Sequence, residues 1–190
     1  MFMIGNRLGI NFEAPAKTHS DKDPNLLPYT TVGDAILDIA GLNEKDIPNH
    51  IALAHKPLVA ERMSYVPEGG KLDLNTLPEH LQNATRKDSK TGKVANYSHV
   101  YKRLDRNKPS TTMVPGHNAF PIHPTLNRTL TPREAARIQT FPDTLEFFGT
   151  RQQQCIQAGN AVPPKMAEPF FKKINEYIEE FTKGNIGDEP

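Results

Sequence analysis

Residues 128–164 read RTLTPREAARIQTFPDTLEFFGTRQQQCIQAGNAVPP, and they carry helix caps, stops and small residues more densely than a plain amphipathic helix requires. The first half predicts a capped helix. Thr131 can accept the free amide at the third helical position, Pro132 suits the first position, and Glu134 can reach back to complete a capping box. Pro142 is expected to stop that helix after Phe141. In the second half, Gln157 to Pro164 places a Gly159-Asn160 turn before Pro163-Pro164, a pair that cannot continue a strand and that pre-sets a following helix. Small residues here allow close approach of a backbone to another group.

These two blocks resemble the last two signature motifs of the DNA cytosine-C5 methyltransferases, R-x-L-T-x-R-E-A-A-R-x-Q-x-F-P-D followed by Q-x-G-N-A-V-P-P. Order and spacing both match. The resemblance extends toward the N-terminus. Phe2, Ile4, Gly5 and Arg7 match the end of the family's eighth motif, a sheet strand, and within Met1 to Gly9 a short strand is expected that ends at the Gly5-Asn6 turn signal or just beyond. Pro15, Thr18 and His19 match P-x-x-T-H, and Val32-Gly33-Asp34-Ala35-Ile36 matches a V-G-D-A-I helix. That helix has support of its own: Thr31 as cap with Asp34 at the third position, Val32, Ile36 and Ile39 on one face, and Gly41 as a left-handed stop. Asp34 and Asp38, four apart, read as cap and solvated face rather than as an acid–base pair.

The middle of the chain is irregular. From Asn49 to Leu81 neither a period of 2 nor of 3.6 persists, and Asn49-His50, Arg62, Pro67-Glu68-Gly69-Gly70 and Leu77-Pro78 resemble a run in the family's target-recognition region. His50 and His55 are expected to be structural. The polar, basic stretch Asn83 to Thr91 lacks apolar anchors and reads as a loop. Beyond it, Tyr97, Val100, Tyr101 and Leu104 can anchor a segment whose Arg103-Leu104-Asp105-x-Asn107-Lys108-Pro109-Ser110-x-Thr112 pattern resembles the part of the recognition region that enters the DNA groove. Lys102, Arg103, Arg106, Lys108, Ser110 and Thr111 are therefore the candidate DNA contacts, because arginine can fork onto guanine edges and lysine, serine or threonine can hold phosphates.

Charge agrees with this location. The chain carries a net +1 overall, but between Arg86 and Arg137 eleven Lys or Arg stand against three acids. A basic block between acidic flanks is the electrostatic footprint of a nucleic-acid surface, although charge runs alone are often only solvated faces. The single cysteine excludes an internal disulfide, and the seven histidines show no zinc-ligand spacing. The N-terminus has neither a basic leader nor a membrane-length apolar run, so a cytoplasmic, non-membrane protein is expected.

At the C-terminal end, Pro163 to Lys183 predicts an amphipathic helix with Met166, Phe170, Ile174, Tyr177, Ile178 and Phe181 on one stripe. In the family this helix packs on the methyltransferase sheet. The resemblance implies an α/β architecture: the C-terminal portion of an S-adenosylmethionine-dependent methyltransferase fold with a small, loop-rich, β-containing target-recognition domain. The expected parts are residues 1–14 as a strand completing the sheet, 15–127 as the recognition domain, 128–184 returning to the core, and 185–190 as a tail.

The resemblance also implies a chemistry, methyl transfer from S-adenosyl-L-methionine to C5 of a cytosine flipped out of double-stranded DNA, with a cysteine adding to C6. The family keeps that cysteine in a Pro-Cys motif and its supporting acid in Glu-Asn-Val. Neither is present here; Cys155 follows Gln154 and reads as a structural thiol, so no catalytic residue is assigned. Gly159, Asn160 and Ala161 match the last motif's contribution to the cofactor pocket. The leading expectation is the recognition half of a split enzyme of a restriction-modification type, partnered by a catalytic subunit. A stand-alone DNA-binding or regulatory module and an inactive truncated remnant remain alternatives.

Overall fold

The computed structural model describes residues 3–7, 9, 11–73, 76–82, 101–114 and 120–185. The chain forms two compact units, Tyr29–Ala161 and a second built from Met1–Pro28 with Val162–Pro190. The Asn83 to Thr91 loop, the anchors Tyr97 and Val100, and most of the 185–190 tail lie outside the described residues.

Among the described residues the larger unit holds α1 (Val32–Ile36), a 3-10 turn (Leu37–Ile39), α2 (Pro57–Ser64), α3 (Glu79–Gln82), α4 (Pro132–Ile138) and α5 (Arg151–Asn160). α1 begins at the expected capping box, Thr31 accepting from the Asp34 amide while Asp34 accepts from Thr31. Its first two amides, on Val32 and Gly33, donate to the carbonyls of Lys108 and Arg106 at 2.9 Å each. A remote loop thus satisfies donors that a helix start would otherwise leave orphaned. Gly33 is required for this closeness, because a Cβ there would lie 2.7 Å from the Arg106 carbonyl oxygen. Gly41 does not end the helix in a left-handed turn. The α-helix gives way after Ile36 to the 3-10 turn, and only Gly9, Gly69 and Gly149 among the described glycines have positive φ.

α4 starts at the expected Thr131–Glu134 box with Pro132 in its first turn. Its end differs from expectation. Thr140 takes φ 64°, and the amides of Thr140 and Phe141 donate to the carbonyls of Arg137 and Ala136, so the helix closes before Pro142 acts. This is the paired closure usually made with glycine, here made with threonine. α5 has a third box, Thr150 with Gln153, preceded by Gly149 at φ 93°. Gly159 and Asn160 form its last turn rather than a free turn, and Ala161 leaves it extended. α4 packs against α1 and α5, burying Val32, Ile36, Leu130, Ala135, Ala136 and Ala158 together. Fully burying each larger aliphatic of this set contributes about 1.5–3 kcal/mol.

No strand ladder forms among the described residues. Instead four short segments lie side by side, joined by isolated bridges: Lys71 with Lys102, Arg103 with Ile122, and Ile122 with Thr129. Each neighbouring pair shares two backbone hydrogen bonds, such as Leu104 N–H to the Ile122 carbonyl at 3.1 Å and Ile122 N–H to the Lys102 carbonyl at 2.8 Å. So little ladder leaves many interior carbonyls to be satisfied otherwise. Arginines do this. Arg133, wholly buried, donates to the carbonyls of Pro48, Pro142 and Leu145 and to Asn49 Oδ1. Asn49, left-handed at φ 65°, exchanges two further bonds of 2.8 Å with the backbone of Phe147.

A buried ionic group sits beside them. Arg128 forks onto Glu134 at 2.7 and 2.8 Å, Glu134 accepts the Thr131 amide, and the Thr131 hydroxyl meets His50 Nδ1 at 2.9 Å. Burial pushes the Glu134 carboxyl up, but the Arg128 fork outweighs it and the group is held below the usual carboxylate range. Removing one partner of such a pair costs about 3–5 kcal/mol.

In the smaller unit α6 (Pro164–Asn185) carries the expected amphipathic stripe. Phe12 lies 5.7 Å from the Tyr177 ring, and the Glu13 amide donates to the Tyr177 hydroxyl. Met166, Phe171, Ile178 and Phe181 stay exposed. The described part of Met1 to Gly9 forms no strand.

Candidate functional site

The segment that leaves the bridged layer at Leu104 turns outward as a tip, in which residues 106–109 are all exposed. Both of its backbone edges are anchored. The Asn107 amide donates to Asp105 Oδ1, the Gly69 amide to the Leu104 carbonyl, and the α1 amides take the carbonyls of Arg106 and Lys108. Gly69, at φ 72°, lets the Glu68–Gly70 turn lie against Asp105.

The six expected DNA contacts separate here. Arg103 is 5% exposed and all five of its N–H donors are used inside the protein. Nε donates to the Val66 carbonyl, Nη1 to those of His123 and Leu126, and Nη2 to the Met63 carbonyl and Asn127 Oδ1. It is a brace for three loops, and the expectation that it contacts DNA is corrected on that ground. Arg106 is exposed and lies against Glu68, with Nε to Oε1 and Nη2 to Oε2 both at 2.8 Å. Lys108 Nζ is 2.8 Å from Asp105 Oδ2. These contacts hold the Glu68 and Asp105 carboxyls below their ordinary values, through hydrogen bonds from Arg106 and Lys108 respectively. Ser110, half-buried, donates to the Thr111 carbonyl, Thr111 is exposed, and Lys102 is half-buried at the tip's base.

The second candidate is the end of α5. Gly159 and Ala161 are half-buried, and Asn160 is exposed with no hydrogen bond to its amide among the described residues. Gln139 Nε2 donates to the Ala158 carbonyl and so holds this helix end against α4. Two small residues flanking an uncommitted amide suit a polar ligand edge. Cys155, one turn earlier, is buried in the core, and burial raises its thiol pKa. That is the opposite of what a nucleophilic thiolate needs.

Both structural histidines are committed internally, His50 to Thr131 and His55 Nε2 accepting from the Thr129 amide. His123 was not singled out in the sequence. It is wholly buried, its Nδ1 accepts the amides of Thr125 and Leu126, and Nε2 has no hydrogen-bond partner, lying 3.7 Å from Glu134 Oε1. Burial lowers its pKa to about 4. Glu68 was also missed as a partner of Arg106, since nothing in the spacing of two residues so far apart signals their contact. The Thr150–Gln153 box was likewise not singled out, although its T-x-x-Q spacing carries the capping signal. Among the described residues no cluster of three or more His, Cys, Asp or Glu could hold a metal ion, and no helix is long and apolar enough to cross a membrane.

A family model described as C-5 cytosine-specific DNA methylase matches residues 1–176. The chain belongs to that family. Among individual relatives, it is 34% identical over 179 residues to the type II methyltransferase M.NgoFVII of Neisseria gonorrhoeae, covering 92% of this chain and 44% of that protein. It is 37% identical to M1.HphI of Haemophilus parahaemolyticus, covering 90% of this chain and 41% of the relative. The chain thus spans well under half the length of these two relatives. M.AquIB of Picosynechococcus differs: 38% identity over 144 residues covers 70% of this chain but 90% of that protein, which is therefore the shorter of the two.

Proposed function

We propose that this chain is the target-recognition and cofactor-pocket-completing part of a cytosine-C5 DNA methyltransferase, active on double-stranded DNA only together with a catalytic half. The observation that carries this reading is the match to nearly the whole of M.AquIB, a type II methyltransferase relative no longer than this chain. A second observation agrees with it: the chain's one cysteine is buried, with a raised thiol pKa and without a Pro-Cys context, so the covalent step needs a thiolate from elsewhere. In this reading the larger unit supplies the tip of residues 105–112 and the smaller unit supplies α6, whose exposed Met166, Phe171 and Ile178 the catalytic half covers. Together these parts are the recognition domain and the C-terminal portion of a methyltransferase fold.

S-adenosyl-L-methionine supplies the methyl group when bound. Gly159, Asn160 and Ala161 are the residues of this chain that would hold it, the Asn160 amide offering both donor and acceptor and the small neighbours giving access. Arg106, Lys108, Ser110, Thr111 and Lys102 orient the duplex so that the target cytosine reaches the partner's nucleophile. Residues 103 and 133 hold that surface in shape.

The reading is tested by labelled methyl transfer from S-adenosylmethionine to mixed-sequence duplex DNA. The assay compares the chain, a catalytic half carrying Pro-Cys and Glu-Asn-Val, and their mixture. Label in DNA with the mixture alone is expected. Methyl transfer by this chain by itself would overturn the reading, and an inert mixture with a chain that binds DNA as a monomer would favour a stand-alone binding module.

A further inference from the structure

Arg106 is fixed in a way that an ordinary surface arginine is not. Glu68 takes its Nε and Nη2 side-on at 2.8 Å and its backbone N–H at 2.9 Å, while the Gly33 amide holds its carbonyl at 2.9 Å. Gly69 at φ 72° and the Gly69 N–H to Leu104 carbonyl bond place the Glu68 turn against the tip. The occupied edge of the guanidinium is thus the Nε–Nη2 edge. Three of its five donors remain, two on Nη1 and the outward hydrogen of Nη2, and among the described residues none has an acceptor. The free edge is the end-on fork.

Charge decides what such a fork is for. Glu68 neutralises Arg106, and Asp105 neutralises Lys108, so this tip carries little net charge with which to release counterions from phosphates. What is left is direction. A planar fork already held in one orientation loses little freedom on binding, and its spacing matches guanine O6 and N7 in the major groove.

We infer that Arg106 is a specificity-determining residue that reads one guanine of the DNA target through its end-on edge, and that Glu68 is the positioning residue that fixes that edge. This rests on the reading that the chain binds DNA, and its test separates the two. The full chain, alone and with a catalytic half, selects from a duplex pool randomised over about 16 base pairs. The variants are Arg106→Lys, Glu68→Gln and the exchanged Glu68→Arg/Arg106→Glu. The wild-type chain enriches guanine at one or more positions. Arg106→Lys loses preference for one such guanine by about 5- to 150-fold while its salt slope stays within about 1 of wild type. Glu68→Gln weakens preference at that same position only. The exchanged pair keeps the wild-type melting temperature without restoring the guanine, which a merely structural ion pair would not show.

Unchanged guanine preference in Arg106→Lys overturns the inference alone, leaving DNA binding intact. Uniformly tighter binding of all sequences by Glu68→Gln overturns the positioning role, making Glu68 a competitor of phosphate. A wild-type chain that enriches no sequence in either format overturns this inference together with the DNA-binding reading.

Discussion

Arg103 and Arg106 stand on one short segment, and the fold puts them to opposite uses. The interior region around Arg103, Arg133 and Glu134 uses charge as a structural device: guanidinium groups replace missing sheet ladders by donating to loop carbonyls. The tip around Arg106 uses charge in solvent, where each cation has its own carboxylate. Burial separates the two regions. Removing an arginine from the first leaves several carbonyls unpaired in a low dielectric, whereas in the second water replaces whatever is lost.

The interior region should therefore respond most strongly to substitution. Arg133→Met removes the donor shared by Pro48, Pro142, Leu145 and Asn49 and is expected to cost about 3–5 kcal/mol, read as a lower urea midpoint with unchanged slope.

Acid attacks the same region. His123 is neutral in the fold because burial lowers its pKa from 6.5 to about 4, and burial lowers His50 and His55 in the same direction. The unfolded chain takes up these protons first, so stability is full above pH 6.5 and falls as pH drops toward 4. His123 alone accounts for about 2–3 kcal/mol of that loss. His123→Asn keeps an acceptor for the Thr125 and Leu126 amides but cannot titrate, and should flatten a plot of stability against pH in this window. Below it, the lowered carboxyls of Glu134 and Asp143 add their own loss as they protonate.

The joint between the two regions should show an intermediate effect. Gly33→Ala pushes a Cβ to 2.7 Å from the Arg106 carbonyl, and relief by shifting the tip is expected to cost about 1–2 kcal/mol in chemical denaturation. The smallest stability change belongs to the exposed Asn160. Asn160→Ala should alter stability by less than about 0.5 kcal/mol yet lower methyl transfer by the reconstituted pair about tenfold, through the apparent affinity for S-adenosylmethionine.

What the sequence made legible was local. The boxes at Thr31–Asp34 and Thr131–Glu134 depend on residues three apart, and both formed as read. The amphipathic stripe of α6 follows from the 3.6 period in the same way. Long-range choices were not legible. Lys102, Arg103, Arg106 and Lys108 look equivalent in a basic run, and only the meeting of Val66, His123 and Leu126 around Arg103 shows which of them is interior. The end of α4 was misread for a related reason: Thr140 is a poor left-handed residue by itself, and the bonds from Thr140 and Phe141 to the preceding turn hold it there. At the α5 end, Gly159-Asn160 looks like a turn by composition, but the Thr150 cap starts a helix early enough to include it.

The contrast between the two arginines is tested most directly by urea titration of Arg103→Met and Arg106→Met side by side, each followed by selection from the randomised duplex pool at a temperature where it is folded. Loss of about 3 kcal/mol is expected for Arg103→Met, with its sequence preference retained, against less than about 0.5 kcal/mol for Arg106→Met, with its guanine preference lost. Equal destabilisation by both, or a folded Arg103→Met chain that alone loses the preference, would contradict the assignment of one arginine to the frame and the other to the DNA.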